Sequence, residues 1–165
     1  MTREEFIVAA EIAFEKLMTP TRGLPLNLLE EPLAEGKWSF KELLAHIIFW
    51  DELIVRALEE LNYERAFDWK LYTDFDTVNA QAVARLRPQS VKRVLTELRL
   101  THSAAMQAAQ LVSDEKLLKE GNVPRFLTKI MVEHIEHHTP QVIEWAERMR
   151  KAGRAPEPLK ILGGE

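Results

Sequence analysis

The sequence predicts an all-α protein, most simply a four-helix bundle. Four long stretches place their apolar residues at helical spacing, and none shows the period-two alternation of a half-buried strand. The six glycines fall mostly at the ends of those stretches. Two of the stretches open on a serine or threonine followed three residues later by glutamate, the arrangement of a capping box. With 165 residues the chain is the size of one domain with a sizeable core. The expected organisation is a bundle over residues 1–152 and a C-terminal tail over 153–165. The bundle is mostly up-down, with a longer connection between the second and third long helices.

The first helix is expected in "TREEFIVAAEIAFEKLM", capped by Thr2 with Glu5, with Phe6, Ala9, Ala13 and Leu17 on its apolar face. Residues 19–37 hold three prolines and two glycines and read as a loop. The second helix has the clearest start: Ser39 caps it, Glu42 reaches back, and Trp38 and Leu43 sit where a hydrophobic staple packs. It is expected to run to about Leu61 and to bury Leu43, Ile47, Trp50, Ile54 and Ala57. Residues 62–75 lack periodicity, carry several aromatics and read as a structured connection.

A short helix in "DTVNAQAVARLR" is expected to stop at Pro88. A longer one follows, with Val91, Leu95, Leu98, Ala105, Ala109 and Val112 on one side. "SDEKLLKEG" reads as one or two capped turns ended by Gly121. The last helix is expected from near Pro124 to about Lys151. Pro140 lies inside it, removing one backbone hydrogen bond and crowding the carbonyl of Glu136. A kink is favoured over a break, because the apolar stripe continues through Trp145 and Met149.

Composition narrows the function. A net charge of -4 with interleaved acids and bases argues against nucleic acid or an anionic membrane surface as the partner. No cysteine is present, which excludes disulfides, thiolate catalysis and cysteine-ligated metals, so any thiol must come from outside. No apolar run approaches the roughly 20 residues needed to span a bilayer, and the N-terminus lacks the apolar core of a signal peptide. A cytoplasmic protein is expected.

Three of the five histidines fall within "HIEHH", residues 134–138. His134 and His138 are four apart and share a helix face with Leu127, Met131, Val142, Trp145 and Met149. Imidazoles on an apolar stripe need partners for their ring nitrogens, and a shared divalent metal supplies one. His46, near the margin of the buried stripe of the second helix, is a third candidate ligand, since bundle sites are built inward from facing helices. Three protein ligands with an open position suit a catalytic ion rather than a structural one. His137 points to the polar flank with Glu133, Glu144 and Arg148, although spacing alone also allows a pair from His134 and His137. His102, between Leu98 and Ala105, reads as a core residue.

"WSFKELLAHIIFW" and "VEHIEHHTPQVIEW", with "DTVNAQAVARLRPQSVKRVLTELR" between, resemble the DinB-like superfamily of damage-inducible bacterial proteins. The shared features are Trp38 and Ser39, His46 seven residues beyond the serine, the His134 and His138 pair, and Gln141 three residues later. The resemblance runs from about residue 5 to 150. It implies a four-helix bundle, a homodimer, and zinc or nickel on His46, His134 and His138. It also implies, for some members, a low-molecular-weight thiol such as mycothiol or bacillithiol, and for others protection against reactive natural products without a metal. Superfamily members often carry glycine at the position of Pro140.

Two functions follow as expectations. One is a metal-dependent S-transferase, isomerase or hydrolase acting on a small electrophile, its imidazoles oriented by Glu42, Glu133 or Gln141. The other is a binding or self-protection protein whose pocket is lined by Trp50, Tyr72 and Phe75, with a metal-stabilised dimeric scaffold as a third possibility.

Overall fold

Caps written into the sequence start the helices. In the computed structural model, which describes residues 1–119 and 121–157, α1 (Arg3–Met18) opens on Thr2, whose side chain accepts from the Glu5 amide while Glu5 reaches back to the Thr2 amide. The same reciprocal box, Ser39 with Glu42, opens α2 (Phe40–Asn62). Asp74 caps α3 (Phe75–Leu86) and Ser90 caps α4 (Val91–Leu111) through side-chain bonds to the Thr77 and Arg93 amides. Each box satisfies two of the donors that a helix start leaves without partners.

The connections follow the predicted punctuation. Two 3-10 turns, Thr19–Thr21 and Leu26–Glu30, fill the proline-rich loop. Between α2 and α4 lie a 3-10 turn at Trp69–Tyr72 and then α3, so this is the long connection. A single turn, α5 (Asp114–Leu117), precedes Gly121, whose φ of 74° a residue with a Cβ rarely adopts. Glu120, inside that expected turn, and residues 158–165 of the expected tail lie outside the described residues. Among the described residues there is no strand, only an isolated antiparallel bridge between Pro32 and Ser39. No helix among them is long and apolar enough to cross a membrane.

Packing brings α2 against α4 and α3, and α1 against the C-terminal helix. Every expected buried residue of α2 is buried, joined by Leu44, Ala45, Ile48, Leu53 and Leu58, so α2 is enclosed on most sides. In α1 the buried row is Phe6, Ala10, Ala13, Phe14, Leu17 and Met18, and Ala9 is only half-buried, which corrects the expected stripe by one position.

The C-terminal helix departs most from expectation. It is α6 (Arg125–Thr128), a π-helical turn at Lys129–Glu133, and α7 (His134–Lys151). Up to Thr139 its buried residues recur every four positions, at Leu127, Met131, Ile135 and Thr139, before Val142, Trp145 and Ala146. Four α-helical residues rotate about 400°, so such a row drifts by about 40° per step. The wider π turn takes up that drift and keeps the row facing the core. His134 and His138 therefore sit one position before Ile135 and Thr139, at the edge of the row, and both are half-buried. They are not embedded in the core stripe, as the plain α reading placed them. Pro140 is exposed and α7 runs unbroken past it.

Candidate metal centre

The edge position of His134 and His138 aims them at α2. There, His46 is 3% exposed within a side otherwise made of apolar residues. Its Nε2 lies 2.7 Å from Nε2 of His134, which in turn lies 3.0 Å from Nε2 of His138. The ligand atoms of the three rings all lie within 4.8 Å of one another. The rings meet edge to face, with centroids 4.7 to 5.4 Å apart.

Hydrogen bonding alone does not satisfy this arrangement. An imidazole Nε2 carries either one proton or one lone pair. His134 has a single proton or a single lone pair at Nε2 for two short approaches, so at most one of them is a well-directed N–H···N bond. A cation shared by three lone pairs removes the conflict. Two imidazoles on one tetrahedral zinc, at about 2.0–2.1 Å each, have nitrogens about 3.3 Å apart. The observed separations are a few tenths of an ångström shorter, a gap that small ring rotations open. The donor set therefore fits a divalent transition-metal ion of the kind that imidazole binds.

The electrostatics favour the ligating form. Burial, and then the neighbouring His138, lower the pKa of His46 to about 4. Burial, followed by His46, His138 and the flanking His137, lowers His134 to about 3. Burial and His137 lower His138 to about 4. All three are neutral at neutral pH, with lone pairs free for a ligand role. His137 is exposed on the flank, as its position in the sequence implied, and its ring contacts His138 at 5.4 Å. His102 lies apart, buried and stacked on Phe14.

The orienting groups proposed from sequence are placed elsewhere. Glu42 is engaged with the Ser39 amide and Arg87. Gln141 lines a neighbouring depression with His137 and His138, and Glu133 lines the main cavity, but neither makes a hydrogen bond to the cluster. Nδ1 of His46 is buried and makes no well-formed hydrogen bond, although the Asn79 side chain lies near enough to act on the ring. This ring is held by packing, with Trp38 at 5.0 Å and Trp50 at 6.4 Å between centroids.

The cluster opens on a cavity of about 680 Å3. Trp50 and Phe75 line it as expected, whereas Tyr72 packs on Phe49 and Phe67 instead. Trp38, Trp69 and Phe126 complete the aromatic wall, and Asn79, Lys129 and Glu133 add polar groups. Trp69 was visible only as an aromatic in an aperiodic stretch. Asn79, Phe126 and Lys129 carried no signal in the sequence, because separate elements bring them together.

A helical protein that gathers one buried and two half-buried imidazoles at the edge of an interhelical cavity is the class that fold and site define. Residues 10–142 match the family model of the DinB superfamily, a span that includes all three histidines. The chain belongs to the DinB superfamily. No curated protein and no solved structure matches it.

Proposed function

We propose that this chain is a four-helix bundle that holds zinc or nickel on His46, His134 and His138 and acts there on a small electrophilic molecule. The observation that carries the reading is the convergence of three neutral Nε2 atoms, at 2.7 and 3.0 Å, which the single proton or lone pair of His134 cannot bridge with two well-directed bonds. A divalent ion bound there supplies Lewis acidity and lowers the proton affinity of a water or thiol beside it.

The protein's own residues have definite tasks in this reading. Burial keeps the three imidazoles unprotonated. Trp38 and Trp50 pack on His46 and limit water at the cluster. Asn79 accepts the Trp50 indole N–H at 3.2 Å, which fixes that wall. With no cysteine in the chain, sulfur chemistry requires a low-molecular-weight thiol from outside. S-transfer, isomerisation or hydrolysis of a small molecule fits a cavity of this size better than a macromolecular partner does. The aromatic wall also favours a second reading, in which the cavity sequesters a reactive molecule without turnover.

The test is purified protein offered zinc or nickel, dialysed, and assayed for metal per chain and for bacillithiol-dependent loss of 1-chloro-2,4-dinitrobenzene. Retained metal with thiol-dependent turnover supports the enzyme. Retained metal without turnover supports sequestration, and no retained metal sinks the proposal.

A further inference from the structure

We propose that the cavity beside the histidines selects flat aromatic ligands bearing a carboxylate, with the ring held by indole and phenyl faces and the carboxylate drawn towards Lys129. The inference deepens the reading above and rests on it for the positive charge at the cavity floor.

Two aromatic pairs from separate elements form the walls. Trp50 of α2 meets Phe75 of α3 at 5.8 Å between centroids and 42° between planes. Trp69 of the 3-10 turn meets Phe126 of α6 at 5.3 Å and 45°. Tilted pairs of this kind do not stack face on face, so ring faces remain for a ligand. The Trp50 N–H is already bonded to Asn79, so that side chain offers the cavity its ring rather than a donor. Phe75 is 58% exposed at the rim. A large apolar ring left in water beside a cavity is stabilised by whatever covers it. The cavity, at about 680 Å3, lies within the range of roughly 300–1,000 Å3 that holds ligands of drug size.

Charge selects the other end of the ligand. Lys129 and Glu133 both line the cavity from the π turn, and neither makes an ion pair among the described residues. Glu133 opposes an anion. The Lys129 ammonium and the ion held by the histidines outweigh it, and the same two charges repel a cationic ligand. An aromatic carboxylate satisfies both the ring walls and this charge balance. An aliphatic acid satisfies only the second.

The experiment is calorimetric titration of the whole protein, metal-loaded and metal-free, with 1-naphthoate, cyclohexanecarboxylate and 1-naphthalenemethanol. The loaded protein is expected to bind 1-naphthoate at least about tenfold more tightly than cyclohexanecarboxylate. Trp69→Leu and Phe126→Leu should each weaken naphthoate about tenfold, with metal per chain unchanged. Lys129→Gln should weaken naphthoate and leave 1-naphthalenemethanol unaffected. Equal affinity for the two acids, indifference to both ring substitutions, or no naphthoate binding at millimolar concentration overturns the inference. Metal retention is read separately. A chain that binds naphthoate through these rings but holds no metal overturns the metal reading and leaves the ring site standing, and a chain that holds metal and ignores naphthoate does the reverse.

Discussion

Asp51 of α2 and His102 of α4 face each other inside the protein, with 3.8 Å between Oδ2 and Nδ1 and only 1% of Asp51 exposed. That distance is too long for a hydrogen bond, and neither the carboxylate oxygens nor the ring nitrogens make a hydrogen bond elsewhere. On its other side, His102 Nε2 lies 3.8 Å from the surface carboxylate of Glu11. Burial pushes the Asp51 carboxyl up from its ordinary range, while His102 pulls the other way.

Asp51 therefore gives a pH-dependent stability with a definite sign. The folded protein holds its proton more tightly than the unfolded chain does, so its contribution is fullest in acid and is lost as pH rises through the folded value. Asp51→Asn removes the buried charge and keeps the shape. The thermal midpoint should rise by a few degrees at pH 8, with the gain shrinking towards pH 4. A lower midpoint at pH 8 would mean that an ion pair holds α2 to α4.

The histidine cluster predicts the opposite slope for the metal-free protein. His46, His134 and His138 have pKa values lowered to about 4, 3 and 4. Below about pH 6.5 the unfolded chain takes up protons that the folded site refuses. Stability should be full above that pH and fall towards about pH 4. Denaturant midpoints of metal-free Asp51→Asn protein at pH 7.5 and 5 read this without the opposing carboxyl, and a flat profile contradicts it.

The π turn gives a third expectation. Deleting Lys129 removes the residue that a π turn holds beyond an α turn, so the segment closes into ordinary helix with His134 and His138 on nearly the same face. Bound metal and far-ultraviolet helix content should both be kept, whereas inserting one alanine after Glu133 turns the two histidines by about 100° and should release the metal. A deletion variant that loses its metal, or an insertion variant that keeps it, would contradict this placement of the histidines.

Much of this was legible in the sequence because local chemistry decides it. Thr2 with Glu5 and Ser39 with Glu42 set helix starts through contacts three residues apart, and the structure keeps both boxes. The meeting of His46 with His134 and His138 followed from helical spacing together with the family pattern. The π turn did not. A row spaced by fours at Leu127, Met131 and Ile135 reads as an ordinary stripe until its accumulated drift is set against the packing of the whole helix. The cavity wall was hidden for a related reason, since Trp69, Asn79 and Phe126 come from three elements whose placement no local signal fixes.

The most direct test of the histidine centre is metal per chain for the parent and four alanine variants, after loading with zinc or nickel and dialysis against a weak chelator. His46→Ala, His134→Ala and His138→Ala should each lose affinity by far more than the 10–100-fold typical of groups that only orient a ligand. His137→Ala, on the exposed flank, should bind nearly as well as the parent. Loss of metal from His137→Ala with retention in His138→Ala would contradict the assignment, and a parent that binds neither metal would leave the cluster without its proposed ion.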